Sequence, residues 1–185
     1  MSMPSTLFKC ANCNYTGSSL VLLGDLYYID KGVEFRVNQT LGWCHDCEDI
    51  RAIEYLGDSS KLIAQVADLS QELLSERKGI KAYLLSIFSR SNTLNKIDEL
   101  ARITKKLYLN DVRKNNERCL SCASINVKPL KADYSLTYDG FLYQGQKDIG
   151  FTHPSCGGSI IAVPNEVRFN IAYQKIHYST DGIKI

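Results

Sequence analysis

The side chains able to do chemistry in this sequence are seven cysteines and three histidines. Six of the cysteines fall into three Cys-x-x-Cys pairs: Cys10 with Cys13, Cys44 with Cys47, and Cys119 with Cys122. The seventh stands in His153-Pro154-Ser155-Cys156, which keeps the two-residue interval and replaces one sulfur with an imidazole nitrogen. Two donors at that interval can both face one tetrahedral ion, whereas an odd number of cysteines suits a disulfide framework poorly. Four such pairs supply eight donors, enough for two closed metal sites.

Their spacing suggests how the pairs combine. Thirty residues separate Cys13 from Cys44, thirty separate Cys122 from His153, and a shift of 109 carries every member of the first set onto the second. The expected sites are therefore Cys10, Cys13, Cys44 and Cys47 for one ion, and Cys119, Cys122, His153 and Cys156 for the other. Thiolate-rich sets of this kind suit Zn²⁺, two structural ions per chain. Four protein donors leave no position for a reactive water, which argues against metal-assisted hydrolysis. His45, between two proposed ligands, is expected to face solvent, and His177, in Lys175-Ile176-His177-Tyr178, to be a strand residue.

Residues around the pairs point to small sheets. Asp30-Lys31-Gly32 and Asp139-Gly140 read as turns near the middle of each spacer, so each spacer is expected to form a β-hairpin. Gly42-Trp43 and Gly150-Phe151 place a large aromatic just before the second pair of each set, where the rings should pack beside the metals. With these pairs and turns the chain resembles the zinc-ribbon superfamily, as two tandem ribbon-like modules over about residues 7–57 and 115–185. The resemblance implies short metal-binding turns held by small antiparallel sheets. The sequence departs from the usual pattern in its histidine and in spacers longer than about 15–20 residues. A module of some fifty residues buries too little apolar surface to offset the entropy of ordering its chain, and bound zinc would supply the deficit. An internal repeat is suggested by the common offset, but most other residues do not match across it.

Between the two sets the pattern changes. From Asp58 to about Asn115 there is no cysteine or proline and one glycine, Gly79, and apolar residues recur at helical intervals. Leu62, Val66, Leu69 and Leu73 form one stripe, with Ser59 or Ser60 as a cap. Ile80, Leu84, Ile87 and Phe88 continue it, and a break at Ser89-Arg90-Ser91-Asn92-Thr93 precedes a second stripe of Ile97, Leu100, Ala101, Thr104 and Leu107 or Tyr108. The expected fold class is α+β: a zinc ribbon over 1–57, a helical connector over 58–115 forming a hairpin, and a second ribbon over 116–185. Ser159 to Val163, the alternation Phe169, Ile171, Tyr173, and a turn at Asp181-Gly182 add strands to the second ribbon.

Composition narrows the function classes. Apolar residues make up 44% and charged residues 23%, and no apolar run approaches the length of a membrane span. No apolar stretch of signal-peptide length precedes Cys10, so an intracellular, cytoplasmic protein is expected. The net charges of residues 1–57, 58–118 and 119–185 are −3, +4 and +1. Four thiolates around zinc contribute about −2, and three thiolates with an imidazole about −1, so the loaded chain approaches neutrality. No Gly-rich phosphate loop, His-Glu-x-x-His or Gly-x-Ser-x-Gly motif is present. The leading expectation is a non-enzymatic protein-interaction module with an unidentified protein partner and no membrane association. Nucleic-acid binding is the alternative, resting on Lys105, Lys106, Arg113, Lys114 and Arg118, with Tyr108, Tyr134 or Phe141 able to stack on bases. Thiol redox chemistry ranks third, and the helical connector offers a route to a homo-oligomer.

Overall fold

The structure is a computed structural model, and it describes residues 2–22, 24–76, 90–113, 116–130, 134–170 and 174–185, without the side chains of Ser2, Glu76 and 90–92. The expectations for Gly79, Ile80, Leu84, Ile87, Phe88, Ser89, Lys114, Ile171 and Tyr173 lie outside the described residues. Residues Met1–Tyr55 and Glu117–Ile185 form one compact unit, and Leu56–Asn116 forms another. Among the described residues two helices combine with many short, mostly antiparallel strands, an α+β arrangement.

Before the helices the first unit contains β1 (Ser2–Met3), β2 (Thr6–Cys10), β3 (Thr16–Ser18), a 3-10 turn (Ser19–Leu22), β4 (Asp25–Asp30), β5 (Val33–Arg36), β6 (Gln39–Cys44) and β7 (Asp49–Glu54). After them come β8 (Val127–Pro129), β9 (Thr137–Tyr138), β10 (Tyr143–Gln144), β11 (Lys147–Thr152), β12 (Ser159–Pro164), β13 (Phe169–Asn170) and β14 (Lys175–Ser179). One antiparallel sheet has the order β11-β12-β2-β3, a second β7-β6-β8, and a third β14-β4-β5 in which β14 runs parallel to β4. The expected turns are present. Asp30 pairs with Val33 across Lys31 and Gly32, both with positive φ (49° and 80°), the backbone of a tight two-residue hairpin turn.

Two separate ribbons at the two ends are not what the chain forms. β12 pairs with β2 from Ile160↔Cys10 to Pro164↔Thr6, β8 pairs with β6, and β14 pairs with β4. Every one of the three larger sheets thus combines strands from before and after the helices. The reason is visible in the pleat. Alternate residues of β2 (Phe8), β12 (Ile160, Ala162) and β11 (Ile149, Phe151) point inward and meet Leu41, Trp43, Ile50 and Leu130 in one cluster. Burying these side chains together removes more apolar surface from water than two fifty-residue modules could manage apart.

In the second unit, α1 (Ser59–Glu76) and α2 (Arg90–Arg113) pack against each other. Ser59 near the start of α1 meets Asn110 near the end of α2 at 3.0 Å, and Glu72 pairs with Lys96 at 2.9 Å, so the helices run antiparallel. The cap of α1 is Asp58 rather than a serine: its carboxylate accepts from the Ser60 amide at 3.0 Å, and its carbonyl accepts from Leu62. Leu62, Val66, Leu69 and Leu73 are half-buried, as their spacing predicts. On α2 the inward line is Lys96, Leu100, Ile103, Leu107 and Asn110, while Ile97, Ala101, Thr104 and Tyr108 are exposed. Leu100 and Leu107 of the expected stripe lie on this face, but apolar spacing missed the rest of it, in which two members are polar residues whose partners sit on α1. Contrary to expectation no break falls at 90–93, since α2 spans those residues, and Ser89 lies outside the described residues. Among the described residues no helix is long and apolar enough to cross a membrane.

Candidate metal centres

The eight donors form two groups, each with all four ligand atoms within 4.8 Å of one another. Cys10, Cys13, His153 and Cys156 make one, and Cys44, Cys47, Cys119 and Cys122 make the other. This overturns the pairing drawn from equal spacers. The first donor pair combines with the fourth, and the second with the third, so one centre is nested inside the other along the chain.

The histidine centre is built from two hairpins lying side by side. β2 runs into the knuckle 10–13 and returns as β3, with the Cys10 amide donating to Tyr15 O at 3.2 Å. β11 runs into the knuckle 153–156 and returns as β12, with the His153 amide donating to Gly158 O at 2.8 Å. The β2 to β12 ladder, extended by the Ala11 amide to Ser159 O at 2.9 Å, sets both knuckles at the same end of one sheet. Their approach is close: a Cβ at Gly158 would lie 2.7 Å from Cys10 Sγ and 2.8 Å from Asn12 Cβ, so glycine is required there.

The four-cysteine centre uses a different support. Its first knuckle, 44–47, is the turn of the β6–β7 hairpin, where Cys44 pairs with Asp49. The second, 119–122, straddles that hairpin: Ile53 bridges Cys119 on the β7 side, and Val127 of β8 pairs with Cys44 on the β6 side. The Leu120 amide donates to Ala52 O and the His45 amide to Asn126 O, fixing the two knuckles against each other. In three of the four knuckles the residue after the second ligand has positive φ, at Glu48 (51°), Ala123 (61°) and Gly157 (72°), which turns the chain back into the returning strand.

Donor separations fit a tetrahedral ion. Cys10 Sγ is 3.3 Å from Cys156 Sγ, and His153 Nδ1 is 3.3 Å from Cys13 Sγ and 3.1 Å from Cys156 Sγ. In the other centre Cys44 Sγ lies 3.6 Å from Cys122 Sγ, and Cys47 Sγ 4.0 Å from Cys119 Sγ. Thiolates bound at about 2.3 Å in a tetrahedron sit about 3.8 Å apart, and sulfur to nitrogen is slightly shorter. The amides of Asn12 and Ser121 donate to Cys10 Sγ and Cys119 Sγ at 3.4 Å each, bonds that favour thiolate over thiol.

Without a cation, such crowding divides the thiols. Burial pushes Cys119 up to about 11, and Cys47 also shifts upward through burial and its cysteine neighbours. The Gly158 amide favours ionisation of Cys156, yet the hydrogen bond it shares with Cys10, in which the Cys156 thiol is the donor, desolvation and Cys13 together raise it to about 11. Desolvation opposes ionisation of Cys10, but the Asn12 amide and its sulfur neighbours bring it below the ordinary value, and Cys122 is lowered in the same way by the Ser124 amide. Four sulfurs this close cannot all ionise against one another; a divalent ion at their centre removes that conflict.

Aromatic rings bridge the two centres. Tyr15 stacks on His153 at 4.8 Å and 24°, while Trp43, the neighbour of Cys44, meets the same imidazole edge-on at 5.2 Å. Trp43 and Phe151 lie 5.8 Å apart. The expected aromatics do flank metal donors, but Trp43 serves the centre to which its neighbour does not belong. The Tyr15 hydroxyl donates to Asp49 Oδ1 at 2.7 Å and accepts from the Ile50 amide at 3.0 Å. Burial raises its pKa, so it stays protonated as a donor. No signal in the sequence singled out Tyr15 or Asp49, because their roles depend on the tertiary pairing of knuckles.

The remaining candidates lie elsewhere. His45 is exposed, and His177 is on β14, hydrogen-bonded to Glu34 at 3.0 Å. Arg113 is buried, Arg118 donates to the Asp181 carbonyl, Lys105 and Tyr108 are exposed, Lys106 and Tyr134 are half-buried, and Phe141 is exposed. No protein-family model matches the chain, and neither a curated protein nor a solved structure is significantly similar to it.

Proposed function

We propose that this chain is a zinc-binding, non-enzymatic protein-interaction module whose two ions are structural. The observation that carries the reading is the pair of four-donor groups, seven sulfurs and one imidazole nitrogen, each converging within 4.8 Å. Soft thiolates with one imidazole favour Zn²⁺ over Mg²⁺ or Ca²⁺, and four protein donors fill its tetrahedral sphere, leaving no place for substrate or water. Zinc would supply charge neutralisation and crosslinking; the chain's own strands supply the geometry. Each knuckle, a short turn presenting two donors, is the local feature that supports a likeness to zinc ribbons.

An exposed aromatic cluster supports docking to another protein. Phe141, at the turn joining β9 to β10, is 65% exposed and Tyr138 is 49% exposed, with the Arg168 guanidinium 4.7 Å from the Phe141 ring. Aromatic and arginine side chains are enriched at protein interfaces. Nucleic acid fits less well, because two of the five basic residues considered for it, Arg113 and Arg118, are buried or hydrogen-bonded within the fold.

Metal analysis of the untagged chain tests the first half, with two zinc ions per chain expected. Affinity capture with the zinc-loaded chain and with Phe141→Ala tests the second. A partner retained by the former and lost by the latter supports docking; retention of nucleic acid in a salt-dependent manner instead would favour the alternative.

A further inference from the structure

We propose that the two centres bind metal cooperatively, with Tyr15 as the positioning residue that couples them. The inference rests on reading both donor groups as zinc centres. Tyr15 follows Cys13 by two residues and covers one face of the His153 imidazole at 4.8 Å, so its ring fixes the plane in which that ligand can present Nδ1. Its hydroxyl is anchored in the other centre's support: Asp49 Oδ1 at 2.7 Å and the Ile50 amide at 3.0 Å belong to the strand that leaves the Cys47 knuckle. Trp43 adds a second contact in the same direction. Fixed beside Cys44, its indole packs against His153 at 5.2 Å and Tyr15 at 5.3 Å.

The 44–47 knuckle and the strand that leaves it thus order two rings, Trp43 and Tyr15, that position His153, a donor of the other centre. Gly17 keeps the space this needs, since a Cβ there would lie 2.6 Å from the Tyr15 hydroxyl. Chain connectivity acts in the same direction. Closing the nested four-cysteine centre roughly halves the length of chain between Cys13 and His153 that the histidine centre must close, worth about a threefold gain from loop entropy alone. Because binding free energies are linked, the gain is mutual: whatever one filled centre does for the other's affinity is returned by the same factor.

The test uses the full chain and the ions Co²⁺ and Zn²⁺, with the ligand-field bands of Co²⁺ separating the site of three thiolates and an imidazole from the site of four thiolates. Cys122→Ser and Cys156→Ser each disable one centre at an exposed donor. Each is expected to weaken metal binding at the intact centre by tenfold or more, and by the same factor. With Tyr15→Leu in the background, that mutual factor should fall towards the threefold of chain closure, and Tyr15→Phe, which keeps the ring and loses the anchor, should fall between. Should a serine variant fail to fold, zinc release to a chelator from the otherwise wild-type Tyr15→Phe chain decides: faster release from both centres is expected, although the ring touches a ligand of only one. Unchanged affinity at the intact centre, or faster release confined to the histidine centre, overturns the coupling. Two zinc ions bound independently would leave the zinc reading standing, whereas no zinc in the wild-type chain would remove both.

Discussion

The two centres use the same interval between donors and reach it by different means. In the histidine centre two complete hairpins lie side by side in one sheet, and 139 residues separate Cys13 from His153, the first donor of the later hairpin. In the four-cysteine centre one hairpin supplies a knuckle at its tip, and the second knuckle is laid across its two edges by a bridge to β7 and a short ladder to β6. Burial differs accordingly. Cys44 and Cys119 are fully buried, whereas in the histidine centre His153 is the deepest donor and Cys156 is exposed. The contrast teaches that the knuckle is an interchangeable part. What decides its partner is the sheet behind it.

Removing both ions should erase the comparison altogether, and it is the largest effect expected. Structural zinc supplies about 10–16 kcal/mol of apparent binding energy, more than the net stability of an ordinary domain. A strong chelator should therefore unfold the unit formed by Met1–Tyr55 and Glu117–Ile185. Loss of its β signal in circular dichroism, restored by Zn²⁺, checks this. If the helical unit keeps its signal meanwhile, metal dependence belongs to the sheets alone.

Single-site changes then separate the centres. Replacing buried Cys119 with alanine should cost more than about 4 kcal/mol, by combining loss of an ion with a defect beneath β7, and Cys156→Ala should cost less because its sulfur is exposed. Urea unfolding of the zinc-loaded variants measures the difference, and equal losses would mean burial does not distinguish them. Trp43→Ala should cost about 3–5 kcal/mol, as for other buried aromatics, and disturb the histidine centre despite its place beside Cys44. Gly158→Ala should cost about 1–3 kcal/mol by forcing the histidine-centre knuckles apart. A shift of Co²⁺ absorption limited to the bands of the histidine centre would place the damage there.

The smallest effect lies away from both centres. Glu34 joins β5 to β14 through Lys175 Nζ at 2.5 Å and His177 Nε2 at 3.0 Å, and the Lys175 hydrogen bond holds its carboxyl below the ordinary value. A carboxylate whose pKa is lowered by folding stabilises the fold above its unfolded pKa. That contribution disappears as pH falls through the lower, folded value. Glu34→Gln should therefore reduce stability slightly near neutral pH, with the difference closing in acid below about pH 4.5. Thermal melts of both chains at fixed metal content would show it; a gap that widened in acid would contradict the assignment.

Much of the site was legible locally. A Cys-x-x-Cys turn declares its own chemistry, because donor type and interval depend on a few adjacent residues. Asp30-Lys31-Gly32 declared its hairpin for the same reason, its two central residues adopting the positive φ that the turn needs. The helices were legible as elements. The buried side of α2 was not, since Lys96 and Asn110 point inward only because Glu72 and Ser59 are there to receive them.

The pairing of donors shows where sequence stops. Four knuckles can combine in three ways, and equal spacers of thirty residues favoured one that the fold does not adopt. Closing a loop of 139 residues rather than 30 costs only about 1.4 kcal/mol of chain entropy, because the penalty grows with the logarithm of length. That is less than the burial of one large apolar side chain. Phe8, Ile149, Phe151, Ile160 and Ala162 join Leu41, Trp43 and Ile50 in one core, and this core, together with the β2 to β12 ladder, easily outweighs it. The sequence by itself determined which atoms can hold metal and that two sets of four exist. Only the tertiary structure decided which atoms share an ion, because that choice is made by sheet register and core packing between residues far apart in the chain.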